Sequence, residues 1–177
     1  MKSLRRSGIY FRVFKPGWGD PLDPAYSKSS GGRWNAPGAF GAIYLCATLE
    51  VAAANARARH AGRAIRLFDL LPSRRPSLLE VRIPDGEMLD VVSEEGVRAA
   101  GLPRGYPYGV PHERCQSVGR RAYALSELRG IACRSAAEAT PGAWAGEELA
   151  WFDRSPVLRE HGPRRTFAQW YPHPFPR

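Results

Sequence analysis

The feature that most constrains the fold is the run AIYLC at residues 42–46, followed almost at once by TLEVAAANARARH. A short apolar run that gives way to helical spacing reads as a strand joined to a helix. Thr48 is placed to cap that helix. Leu49, Ala52, Ala53 and Ala56 recur at the spacing of one buried stripe, and Glu50 falls in the first turn, where a carboxylate suits the helix dipole. Asn55 projects beside the stripe instead of through its middle. A chain with this join needs both element types around one core.

The rest of the sequence supplies more of each. GIYFRVF (8–14) has the β-branched and aromatic content of a strand, with Arg12 inside it, and residues 16–24 are punctuated by Pro, Gly and Asp as a loop is. SLLEVRIPDG reads as a strand ending in a turn at Asp85-Gly86, and MLDVV as another strand. SEEGVRAAG is a short helix capped by Ser93 and ended by Gly101; residues 102–112 are irregular; RCQSVGRRAYALSEL is a helix. GIACRSA is a strand ending at Ser135, GEELAWFD another strand or an edge, and residues 171–177 a proline-rich tail. No repeat or wide linker divides the 177 residues, so the expectation is one α+β (mixed α/β) domain over residues 1–177.

In front of the AIYLC strand stands GGRWN, residues 31–35. Glycines let the backbone come close to a ligand, an arginine fork matches phosphate oxygens, and a tryptophan offers a flat face for a ring. Gly32, Arg33, Trp34 and Asn35 together suit a nucleotide diphosphate; the alternative is a tight turn with a surface arginine and a core tryptophan. Tyr44 is able to turn its hydroxyl toward that loop. Ser135 ends a strand on the face of Ile131 and Cys133, at the rim of a site or simply starting a turn. Arg12 in an apolar strand needs a partner or a cleft.

The net charge is +9 at pH 7, with arginines such as Arg57, Arg63, Arg74, Arg120 and Arg164 spread along the chain. Such a surface attracts anions without choosing among them, and no recognition-helix or single-strand-binding motif accompanies it, which argues against direct nucleic-acid binding. Cys46, Cys115 and Cys133 read as buried free thiols of a reducing cytosol. The four histidines are scattered and no C-x-x-C occurs, so no metal site is expected. No run has the length of a membrane span or the apolar core of a signal peptide; the expected location is the cytoplasm.

YFRVF, GGRWNAPG, AIYLCATLEVAAANARARH, LLEVRIPDGEMLDV, CQSVGRRAYA, GIACRSA, LAWFD and TFAQWYP, in this order, resemble the RES-domain family, the toxin half of RES–Xre toxin–antitoxin modules. The resemblance implies a fold like that of ADP-ribosyltransferase toxins and chemistry on NAD+ as substrate. Phosphate, water or a protein would be the acceptor, and an Xre-type helix-turn-helix antitoxin the partner. It places the family's arginine on Arg33, its serine on Ser135, its strand tyrosine on Tyr44 and a first-strand arginine on Arg12.

The family's helix glutamate falls on Asn55, and Glu50 lies more than a turn earlier on another side. Cleaving the nicotinamide–ribose bond builds positive charge on the ribose, which a carboxylate stabilises and an amide does not. Three explanations stay open: another carboxylate such as Glu147 or Glu148 reaches the site, the chain is a naturally inactive relative that still binds NAD+ or its antitoxin, or Asn55 is an introduced change that lets a toxic protein be produced.

Overall fold

The structure is a computed structural model and describes residues 1–171. In chain order the strands are β1 (Ser3–Phe14), β2 (Ala42–Cys46), β3 (Ser77–Val91), β4 (Leu128–Arg134), β5 (Glu147–Phe152) and the two-residue β6 (Arg159–Glu160). The helices are α1 (Ala25–Ser30), α2 (Leu49–Ala58), α3 (Glu94–Ala99), α4 (His112–Tyr123) and α5 (Phe167–Trp170). The strands form one sheet in the order β1-β2-β5-β4-β3-β6, and β1 also pairs with β3. The pairings therefore close into a ring, completed between β1 and β2 by Phe11 opposite Cys46. Only β3 and β4 run parallel, and the crossover that this requires carries α3 and α4.

Strand parity sorts the side chains. Tyr10, Phe14, Ile43, Leu45, Leu79, Val81, Ile83, Met88, Ala132, Leu149 and Trp151 fill the inside of the ring, each strand of the ring contributing. On the outside, α3 and α4 cover a cluster containing Trp34, Leu89, Val118, Ile131, Cys133 and Phe152. A second outer cluster joins α2 and α5 to Val13, Cys46 and Leu78. Burial of each such Leu, Val or Phe contributes about 1.5–3 kcal/mol.

Local signals explain most elements. The Thr48 hydroxyl accepts the Val51 N–H, and Ser93 accepts the Gly96 N–H, as both caps predict. The mixed α/β expectation is met, with three corrections. No turn forms at Asp85-Gly86: β3 is continuous, and the ladder to β1 slips so that Arg6 faces Gly86 while Gly8 faces Ile83. The skipped residues on β3 include Pro84, which has no N–H to give a ladder. β5 is not an edge but a central strand between β2 and β4. Tyr171, assigned to the tail, is 5% exposed and stacks on Phe167 at 4.5 Å between ring centroids; residues 172–177 of that tail lie outside the described residues.

Candidate active site

The segment 31–35 connects α1 to β2 and is fixed from every side. The Gly32 N–H donates to the Asn35 carbonyl at 2.8 Å, and Gln116 Nε2 of α4 donates to the Gly32 carbonyl at 2.9 Å. The Tyr44 hydroxyl accepts the Trp34 N–H at 3.0 Å and donates to Asn35 Oδ1 at 2.7 Å. Gly32 lies against the Tyr44 ring; a Cβ there would fall 2.8 Å from Cε2 and Cζ. On the α4 side a Cβ on Gly119 would overlap the Trp34 carbonyl, so glycine lets helix and loop touch backbone to backbone.

This packing corrects two expectations. Trp34 is fully buried and offers no face for stacking: its Nε1–H points to Cys133 Sγ at 3.3 Å and its ring lies 6.1 Å from that of Tyr106. A tryptophan buries about 150–250 Å² of surface, and that gain draws it into the core. Asn35 is equally buried; its Nδ2 donates to the Ser27 carbonyl at 2.7 Å and the Phe40 carbonyl at 2.9 Å, so it ties the loop together and faces no ligand. Tyr44 acts in the same way, through its hydroxyl, as a positioning residue.

Arg33 is what the scaffold presents. It is half-buried, its Nη1 lies 3.9 Å from Cys115 Sγ, and among the described residues no carboxylate pairs with it. Arg12 is different: its donors go to the main chain. It shares the inward side of β1 with Tyr10 and Phe14, and its Nη1 and Nε donate to the carbonyls of Tyr44 (2.9 Å) and Pro21 (3.2 Å). It braces the place where β1 and β2 splay apart. Burial, and then the nearby Arg59 charge, pull its pKa down to about 10.

Opposite Arg33 the sheet's outer face carries a polar seam. Glu148 of β5 is in register with Cys46 of β2 on one side and Cys133 of β4 on the other. Cys46 belongs to the cluster under α2 and Cys133 to the cluster under α4, so Glu148 stands between the two covers. Asn55 of α2 reaches it: Nδ2 donates to Glu148 Oε1 at 3.0 Å, to the Val51 carbonyl at 3.1 Å and weakly to Cys46 Sγ at 3.7 Å. Burial, followed by the Glu148 charge, pushes the Cys46 and Cys133 thiols far up, so both are protonated at neutral pH and neither is a nucleophile. Tyr44, Tyr106 and Cys133 each feel Arg33 and Glu148 together, which places the two charges over one patch.

Ser135 follows Cys133 on the same side of β4, at the end of this seam. It is 2% exposed and its hydroxyl accepts the Ala137 N–H at 3.3 Å, so it starts a turn, the structural alternative that the sequence allowed. The structure thus puts Tyr44 and Asn55 along the seam, with Arg33 in electrostatic reach of Tyr44 and Ser135 at the β4 end, and holds Arg12, Trp34 and Asn35 buried on internal partners. Two residues that sequence reasoning left unresolved fall into place: Glu147 is gripped by Arg6 through two bonds of 2.7 Å, whereas Glu148 faces the seam. The signal was parity, since Glu148 alternates with the inward-facing Leu149 and Trp151. Among the described residues no group of three or more His, Cys, Asp or Glu is placed to hold a metal ion, and no helix is long and apolar enough to cross a membrane.

A closed ring of strands flanked by short helices is a frame that known proteins share with this one. The RES-domain family model matches residues 9–169, and the chain belongs to that family. It is 29% identical over 112 residues to "NAD(+) phosphorylase MbcT" of Mycobacterium bovis and of Mycobacterium tuberculosis. That stretch is 63% of this chain and spans 59% of the length of those relatives. The crystal structure of the M. tuberculosis MbcT–MbcA toxin–antitoxin complex superposes with a TM-score of 0.75 at 23% identity, covering 94% of this chain and 88% of that one. This likeness establishes the fold.

Proposed function

We propose that the chain is the NAD+-consuming toxin of a toxin–antitoxin module and cleaves the nicotinamide–ribose bond with phosphate as acceptor. The observation that carries the reading is the half-buried Arg33, free of any carboxylate partner among the described residues, within electrostatic reach of the same Tyr44 and Cys133 on which Glu148, the partner of Asn55, also acts. The similarity to a protein named NAD(+) phosphorylase supports it.

Arg33 takes the pyrophosphate through its paired donors. The ribose then lies over the seam, between Asn55 and the end of β4 at Ser135. When the glycosidic bond breaks, its electron pair leaves with the ring nitrogen and nicotinamide departs neutral. Positive charge spreads over the anomeric carbon and ring oxygen, and a phosphate oxygen forms the new bond there. Phosphate arrives as an anion with its own lone pair, so no base at the position of Asn55 is needed to activate it. The products are nicotinamide and ADP-ribose phosphorylated at the anomeric carbon.

The partner fitting this reading is an Xre-type helix-turn-helix antitoxin in the cytoplasm, and the net charge of +9 suits an acidic surface on it. Incubation with NAD+ in phosphate and in phosphate-free buffer, followed by mass spectrometry, tests the proposal. Phosphorylated ADP-ribose is expected in the first buffer; intact NAD+ in both defeats the reading. A second reading, binding without turnover, draws on the amide at position 55. It predicts a calorimetric NAD+ signal that Arg33→Ala abolishes, with no product formed.

A further inference from the structure

The proposed chemistry leaves the charge on the ribose without an obvious counter-ion, because α2 presents an amide. We propose that the counter-ion is Glu148, supplied from strand β5, and that Asn55 positions it. The inference rests on the NAD+ reading and goes beyond it by naming the group that meets the developing charge.

Of the two adjacent acids, Glu147 is excluded by its partners. It is held by Arg6 with Nε–Oε1 and Nη2–Oε2 bonds of 2.7 Å, and it also meets the buried Tyr10 hydroxyl. Glu148 has no ion pair among the described residues. Among the described residues its side chain accepts one hydrogen bond, from Asn55 Nδ2 at 3.0 Å. Asn55 is itself anchored to the Val51 carbonyl, so the amide is a fixed donor that sets the carboxylate's direction.

The setting also suits electrostatic stabilisation. β5 is hydrogen-bonded to β2 and β4 on both sides, so the main chain beneath Glu148 is held by two neighbours. The flanking Cys46 and Cys133 thiols are neutral and apolar, which leaves Glu148 as the negative charge of the seam floor. A partly buried charge acts more strongly on a developing cation than one fully in water. Glu148 neither gains nor loses a proton in the step. The bond to nicotinamide breaks, the bond to phosphate oxygen forms, and the carboxylate stabilises the positive charge between those two events.

The test uses the full chain, NAD+ and phosphate, with turnover, NAD+ affinity and thermal midpoint measured in parallel. Glu148→Gln keeps shape and removes charge. The expected result is a fall in kcat of about 100-fold or more, with NAD+ affinity changed by less than about threefold. Asn55→Glu/Glu148→Gln moves the charge across the same hydrogen bond and is expected to recover at least about tenfold of that loss. Turnover of Glu148→Gln within about threefold of the parent overturns the proposal. If the parent is inactive and the double variant turns over NAD+, the Glu148 assignment and turnover by the parent chain both fail, and the second reading, binding without turnover, stands. Inactivity of both overturns the two together. Should Glu148→Gln not fold, Glu148→Asp replaces it: withdrawing the carboxylate by one methylene is expected to cost about tenfold in kcat, and an unchanged rate overturns the assignment.

Discussion

The two faces of the sheet treat charge in opposite ways. On the inner side and its rim, Arg12 is spent on two main-chain carbonyls and Glu147 on Arg6 and Tyr10. On the outer seam, Arg33 and Glu148 meet no opposite charge among the described residues. Glu147 and Glu148 are neighbours in sequence and identical in chemistry, yet strand parity sends one into an ion pair and the other onto the outer seam. Availability for ligand chemistry is therefore decided by which way the pleat points and by what the opposing strand offers.

This contrast is open to test by mutation. The largest effect is expected at the anchor that frees Arg33: Trp34→Ala should cost about 3–5 kcal/mol in denaturant unfolding, because the cavity lies in a packed cluster. Arg12→Met should cost about 2–3 kcal/mol, since it leaves the Tyr44 and Pro21 carbonyls without their donor. Glu147→Gln should cost about 1–2 kcal/mol by weakening a mostly buried ion pair. Tyr10 gives the same inner network a pH signature. Burial first, then Glu147, push its pKa up to about 12, from an ordinary value of 10.0. Its contribution is complete below pH 10 and is lost as the pH rises through about 12. Tyr10→Phe should make that alkaline limb of the stability curve shallower. The smallest effect belongs to the seam: Arg33→Ala should change stability by less than about 0.5 kcal/mol while abolishing NAD+ binding. A large loss of stability at Arg33 would erase the contrast.

Much of the fold was readable from the sequence because caps and periodicities are local. Thr48, Ser93 and the AIYLC run behave as their neighbours dictate. The continuous β3 was not readable: an Asp-Gly pair signals a turn unless a partner strand supplies a ladder that absorbs one extra residue, and β1 does. The closure of the ring depends equally on distant pairings. In the site, Arg33 was legible as the polar member of GGRWN, but Trp34 and Asn35 were assigned to a ligand because a loop motif does not reveal that α4 packs across it. Arg12 was legible as an oddity in an apolar strand, and only the splay between β1 and β2 explains it. Glu148 needed the register of three strands and the reach of a helix.

The hydrogen bond between Asn55 and Glu148 also binds the histories of two positions. Placing an acid at residue 55 while residue 148 is still acidic would press two carboxylates together, and such a pair is forced to share a proton. Neutralising residue 148 first would leave the cleft with no acid. The two sites should therefore drift as a unit and resist one-at-a-time replacement.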